Sequence, residues 1–398
     1  MLCMHILVLG LLSSVYLTSG QTLTNTKQLY SDVFANLQKN VIPSLDQSKP
    51  LDISLRFYLV TISRFVEAEE TIVVVGAVEM IWTDGGISWN PASYGNKQSI
   101  PLSNNNIWTP SLTLLNSVDT LAPIDGDTKF NVNIMSNGTI SSIVGGVLSA
   151  KCTTDISKFP FDSQTCILDF TTWNIFSSDI TLSLVPDSPV DLGFYGRNPD
   201  WVLQSCSARA STLGSYPEYK VTLTIKREPL YYSMMVVCPT ILFGLLNPLV
   251  FLLPVESGER IGLSMTILLS YAIFLTLVSD VIPATSNPMC LMVILMIATI
   301  IVSGIIVFLA IENSALYHRD ESRKKNILWK FIGARLPWSK HRDTITLLLK
   351  DQSTVSCSSW TELDISWKDV ADGLDILCLI VSYGSIIIIT AVYFIYIN

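Results

Sequence analysis

The chain has 398 residues, 49% of them hydrophobic and 15% charged, with a formal net charge of −8. An acidic balance argues against a nucleic-acid partner. Three histidines, His5, His318 and His341, with no paired metal-ligand motif and no nucleophile elbow, argue against an enzyme and against a bound cofactor or metal. The apolar excess is gathered in four long runs, which points to membrane crossings and excludes a purely soluble module.

In chain order, residues 1–20 combine an apolar stretch with small residues towards Gly20 and read as a secretory signal; the alternative is an uncleaved anchor. Next, Leu29, Val33, Phe34 and Leu37 fall on one helical face, with Thr26 as a candidate cap. From Leu51 to Arg227 the pattern becomes alternation, as in Ile53, Leu55, Phe57 and Leu59. Turn residues recur about every ten positions, which predicts an antiparallel β-sandwich over 21–229. The sequon at Asn137-Gly138-Thr139 sits in one such turn and predicts glycosylation of a secreted domain. Cys152 and Cys166 close a short loop suited to a disulfide worth about 3 kcal/mol. Cys206 is left over, either free or paired with another chain.

The membrane part is expected over 230–312, with helices at about 231–253, 259–282 and 289–311, and a fourth at 374–398. A secreted N-terminus puts 313–373 in the cytosol as a short segment with amphipathic helices. Eight basic residues between Arg319 and Arg342, against Asp320 and Glu321, agree with that orientation. The second run, ERIGLSMTILLSYAIFLTLVSDVI (259–282), is too polar for lipid alone. At 100° per residue Glu259, Gly262, Thr266, Leu269, Ile273, Thr276 and Asp280 share one arc. Acids at both ends, hydroxyls inside and two bulky aliphatics between them read as a pore lining; the alternative is a polar stripe satisfied inside a bundle. Arg260 is turned off that arc, towards a neighbouring helix or the cytosol.

At this point the chain resembles the Cys-loop family of pentameric ligand-gated ion channels, nicotinic acetylcholine receptor subunits of non-alpha type above all, over Thr26 to Asn398. The motif that carries this is CTTDISKFPFDSQTC (152–166), with Phe159-Pro160-Phe161-Asp162 at its tip. Trp82-Thr83-Asp84, Trp108-Thr109-Pro110, Leu230-Tyr231-Tyr232 ahead of Pro239, and Ser257-Gly258-Glu259-Arg260 support it. The resemblance implies an immunoglobulin-like extracellular sandwich, four membrane helices, and five identical or homologous subunits in the plasma membrane. It implies rings of Glu259 and Asp280 at the two pore mouths, a constriction at Leu269 and Ile273, and permeant cations. It also implies that the loop tip, Glu67 and Arg227 press on the loop bearing Pro283 and so couple ligand to gate.

For the agonist site the resemblance implies an aromatic box to which Trp173 and Tyr216 contribute; the other reading of Trp173 is a sandwich-core tryptophan, as for Trp89 and Trp201. Two walls of that box are missing, since Leu115 and Ala77 stand where a tyrosine and a tryptophan are expected. The paired cysteines of acetylcholine-binding subunits are also absent from the short 201–216 segment. The agonist is therefore a small molecule of unknown identity, and an accessory subunit without a complete site is the second reading.

Overall fold

The computed structural model describes residues 21–35, 37–124, 131–279, 282, 289–322, 329, 332 and 366–397. The signal at 1–20, Asp280 and Pro283 lie outside the described residues, as does nearly all of the amphipathic stretch at 327–338. A helix α1 (Leu23–Val33) comes first. Its cap is Thr22, four residues before the expected Thr26: the Thr22 hydroxyl accepts from the Asn25 N–H at 3.2 Å. The helix therefore begins earlier than its apolar spacing implies, and Leu29 alone of its residues is fully buried.

Among the described residues eleven strands then form two sheets, with boundaries β1 (Leu51–Val66), β2 (Thr71–Thr83), β3 (Ser99–Ser103), β4 (Thr113–Leu114), β5 (Asn131–Met135), β6 (Thr139–Lys151), β7 (Ser163–Thr171), β8 (Ile180–Leu184), β9 (Val190–Asp191), β10 (Trp201–Leu213) and β11 (Tyr216–Arg227). The larger sheet runs β3-β5-β6-β2-β1-β8 with β9 beside β1, and the smaller β10-β11-β7-β4. Alternation decides which side faces in. Ile53, Leu55, Phe57 and Leu59 have no exposed surface, and they meet Leu168, Phe170, Val221 and Leu223 from the facing sheet. Trp89 and Trp201 are 8% and 3% exposed and belong to this core, whereas Trp173 is 43% exposed and does not. A disulfide joins Cys152, just past β6, to Cys166 on β7, so one covalent bond ties the two sheets together.

Four helices long and apolar enough to cross a membrane follow: α2 (Leu230–Leu252), α3 (Glu259–Ser279), α4 (Leu291–Tyr317) and α5 (Trp367–Ile397). Only Glu228 and Pro229 separate β11 from α2. Pro239 offers no N–H to the ladder, and a single π turn at Ser233–Val237 precedes it. The Thr240 hydroxyl satisfies the Val236 carbonyl there at 2.8 Å. Helices α4 and α5 overrun the apolar runs that announced them, reaching Tyr317 and starting at Trp367 rather than at 311 and 374. The reason is packing between their polar ends. Asn313, with no exposed surface, donates to the Ala371 carbonyl at 3.0 Å. Part of the expected 313–373 segment is thus continuous helix.

Cys206 on β10 has no disulfide partner among the described residues of its own chain, and burial pushes its pKa up to about 12. The thiolate is the nucleophile, so alkylation of the folded protein at pH 8 is expected to leave Cys206 unmodified until denaturant is added. Peptide mapping after iodoacetamide, with and without urea, checks this.

Candidate functional site

Where the sandwich meets the helices, Arg227 ends β11 with 2% of its surface exposed. An unpaired charge there would be costly, and the chain surrounds it. Its Nη1 lies 2.7 Å from Glu67 Oε1, its Nε donates to Asp162 Oδ1 at 2.8 Å, and its Nη2 donates to Asp162 Oδ2 at 3.2 Å. Its guanidinium carbon sits over three rings: Trp201 at 4.4 Å, and Phe159 and Tyr232 at 4.9 Å each. Burial by itself would lower its pKa, but Asp162 and then Glu67 outweigh that and hold it above the ordinary value.

Each partner is delivered by a different segment. Glu67 opens the short turn between β1 and β2, and the Glu70 carbonyl of that turn accepts from the Cys152 N–H at 2.7 Å. Asp162 closes the 152–166 loop, and Gln164 Nε2 holds its Oδ2 at 2.7 Å. At the loop tip Phe159 is buried, Pro160 follows through a cis peptide, and Phe161 is 37% exposed. The Ser157 carbonyl accepts from the Leu291 N–H at 3.1 Å, which fastens the loop to the start of α4. Ile156 and Phe159 join a cluster with Cys290, Met292, Tyr393 and Ile397 from the outer ends of α4 and α5. So the structure brings together Glu67, Phe159, Asp162 and Arg227. Sequence reading places Trp201 in the core and Tyr232 in the motif ahead of Pro239, neither of them beside Arg227, and nothing local in the sequence pairs them with it.

A second cluster lies on the outer surface of the smaller sheet. Trp173 follows the end of β7 in a turn where Asn174 takes φ 64°, and its ring stands 6.1 Å from Tyr216 in an edge-to-face pair. Tyr216 opens β11 after a two-residue hairpin whose first residue, Gly214, has φ 62°, where that turn needs a positive value. Phe176, which sequence reading passed over, completes a trio at 5.2 Å from Tyr216, and it was visible as a third aromatic in the same turn. Nearby, Lys220 Nζ lies 2.6 Å from Glu218 and 3.6 Å from Asp169. Burial pushes Glu218 up, yet hydrogen bonds from Lys220 and Ser211 hold its carboxyl below the usual range.

Ala77 and Leu115 are elsewhere. Ala77 is on the outward face of β2, in register with Tyr58 on β1 and Gly145 on β6. A Cβ on Gly145 would come within 2.5 Å of the Ala77 Cβ, so small residues fill this part of the sheet. Tyr58 donates to Glu79 at 2.9 Å, and its ring lies 6.3 Å from Phe194. Leu115 is half-buried and bonds through its N–H to the Asp169 carbonyl. Asn137 is exposed, and its Oδ1 accepts from the Thr139 N–H at 3.0 Å in the β5–β6 turn.

On α3 the buried residues are Arg260, Ser264, Tyr271 and Val278, a stripe facing the other helices. Glu259, Gly262, Thr266, Leu269, Ile273 and Thr276 are all exposed, Leu269 by 63% and Ile273 by 54%. Off the arc, Ile261 is 37%, Met265 49% and Leu277 64% exposed, so the bare side of α3 is wider than the arc. The Thr266 and Thr276 hydroxyls donate back to the Gly262 and Ile273 carbonyls at 2.8 and 2.7 Å, which leaves their lone pairs facing outward.

A disulfide-linked sandwich seated directly on four apolar helices, one of them with a bare polar-and-apolar stripe, defines a membrane protein with a β-sandwich domain and its own transmembrane unit. The chain belongs to the neurotransmitter-gated ion-channel family, whose ligand binding domain matches residues 26–229 and whose transmembrane region matches residues 236–341. It is 29% identical over 294 residues to the acetylcholine receptor subunit beta-type lev-1 of Caenorhabditis elegans, covering 74% of this chain and 57% of that protein. To the alpha-type subunit acr-7 of the same organism it is 32% identical over 340 residues, covering 80% and 63%. To the neuronal acetylcholine receptor subunit beta-3 of Homo sapiens it is 25% identical over 386 residues, covering 94% and 83%. The chain thus spans 57–63% of the length of these two nematode relatives.

Asp162→Asn is expected to cost about 3–5 kcal/mol, because it strips a buried guanidinium of its bidentate partner. Glu67→Gln should cost only about 1 kcal/mol, since Glu67 keeps 18% of its side chain exposed. Melting of the detergent-solubilised receptor, with surface yield in cells, ranks the two.

Proposed function

We propose that this chain is one subunit of a pentameric, ligand-gated cation channel of the plasma membrane. Four further identical or homologous subunits complete the ring, and α3 of each faces the axis. The observation that carries this reading is the broad exposed side of α3: it holds the whole arc from Glu259 to Thr276 together with flanking Ile261, Leu263, Met265 and Leu277, opposite the narrow buried stripe. A polar stripe satisfied inside the bundle would be buried, and this one is bare. Five copies turn Glu259 into a carboxylate ring that replaces part of a cation's hydration and repels anions. Threonine lone pairs continue that preference inward, and Leu269 with Ile273 forms a constriction that closes by dewetting.

Agonist binding acts through Arg227. A small molecule moves the gate only by binding the closed and open states unequally. The cluster of Glu67, Asp162 and Arg227 ties the turn, the loop and the first helix into one body that can pass the difference on. For the agonist, Trp173, Tyr216 and Phe176 form one aromatic face suited to a protonated or quaternary amine. With two walls of the nicotinic box absent, acetylcholine is expected to lose about 1–4 kcal/mol, roughly one to three decades in affinity. The small residues around Ala77 also favour a second reading, an accessory subunit whose own face cannot complete a site. Expression alone, and then with a nicotinic alpha-type subunit, separates the two.

The test is current through the expressed channel under a sodium chloride gradient, with amines, amino acids and protons as agonists. Reversal near the sodium potential is expected, and Glu259→Ala should move it towards chloride; reversal of the wild type at the chloride potential would sink the reading. Leu269→Ser is expected to give a leaky channel or one opened by less agonist, because a hydroxyl lowers the cost of wetting the constriction. Resting current and agonist dose–response measure it, and unchanged values would move the gate to Ile273.

A further inference from the structure

Glu259 and Arg260 are consecutive, so a ring of five negative charges at the inner mouth has five positive charges one residue away. Glu259 is exposed, while Arg260 is 2% exposed. Its guanidinium is folded back into the bundle. Nε and Nη2 donate to the Leu253 carbonyl at 3.1 and 2.8 Å, and Nη2 also reaches the Phe251 carbonyl at 3.3 Å. Carbonyls satisfy N–H groups but do not neutralise a charge. That is done by Asp375 on α5, whose Oδ2 lies 2.6 Å from Nη2. Asp375 is held in turn by Asn313 on α4, which donates to its other oxygen and to the Ala371 carbonyl. Among the described residues Asp375 is the one acid within ion-pair distance of Arg260.

We propose that Asp375, although on the helix farthest in sequence from the pore, is a selectivity-determining positioning residue: it holds the Arg260 charge inside the bundle and so keeps the Glu259 ring unopposed. This rests on the reading of α3 as the pore helix. A guanidinium without its counterion in a low-dielectric interior is strongly disfavoured. Beyond Asp372, a neighbouring carboxylate outside ion-pair distance, its relief is water at the inner mouth beside Glu259, within the roughly 8 Å over which charges act at physiological salt. Five arginines there would cancel the carboxylate ring and lower the local concentration of cations.

The experiment records single-channel conductance and reversal potential for wild type, D375N, and the doubly neutral R260Q/D375N. All are carried on the Leu269→Ser background that favours opening, alone or with a nicotinic alpha-type subunit, and surface protein is measured in each case. D375N is expected to lower cation conductance about twofold or more, to a greater degree at low than at high ionic strength. The double variant is expected to return to wild type, since it removes the stray charge. A merely structural role for Asp375 would alter expression or open time but give neither the salt dependence nor the rescue. Should D375N fail to reach the surface alone, tagged mutant subunits are mixed with wild type, and graded conductance levels are expected. D375N channels at the surface with wild-type conductance, or mixed pentamers containing the tagged subunit at a single wild-type level, would overturn the proposal. Wild-type current that reverses at the chloride potential would count against the pore reading itself.

Discussion

A single buried cation organises the junction between the two halves of this protein. Arg227 could not stay where β11 ends without two carboxylates and three aromatic rings around it. Those partners come from the β1–β2 turn, the disulfide loop, the start of β10 and the start of α2, so the need to compensate one charge determines where four segments meet. The penalty for breaking such a pair exceeds what the pair contributes to stability. It therefore acts chiefly as a constraint on geometry: the sandwich and the helices are held in one relative arrangement, or the guanidinium is left bare.

Above this junction the chain is stiff. The disulfide joins the sheets at the same end that carries the loop tip, and the loop is fastened to α4 through Ser157 and to the helix ends through Phe159. Two residues separate the last strand from the first helix, so displacement of the sandwich reaches the bundle with little slack. Tyr216 of the aromatic trio begins the strand that Arg227 ends, and β11 is a direct mechanical line between the two clusters.

Much of this was legible in the sequence. Period-two alternation marked β1 and β2, because one face of each strand packs into a core while the other is wet. Hydropathy marked the four spans, and the 100° arc falls within the bare side of α3, which is wider than the arc and takes in Ile261, Leu263, Met265 and Leu277 as well. What escaped depended on contacts between distant residues. Trp201 and Tyr232 around Arg227, and Phe176 beside Tyr216, are ordinary aromatics until tertiary structure brings them together. The overrun of α4 escaped for a related reason, whereas the stretch from Thr361 already reads as one helix running into the last span. The polar end of α4 reads as loop by hydropathy, but Asn313 bonds to Asp375 and to the Ala371 carbonyl of α5, so helix continues where composition alone implies a boundary. Thr22 displaced Thr26 as the cap because capping is decided by one hydrogen bond at the point where the backbone leaves extended geometry, which periodicity does not locate.

The bare stripe of α3 also bears on how such a subunit is made. In the ring proposed above, a newly inserted chain would have no partner for this face, and the Thr266 and Thr276 hydroxyls would border hydrocarbon with only their own carbonyls for company. On that reading a lone protomer is a high-energy intermediate, drawn towards any surface that can shelter the helix. Assembly would then serve as its own proofreading, because only a closed ring would give every copy of the stripe a column of water.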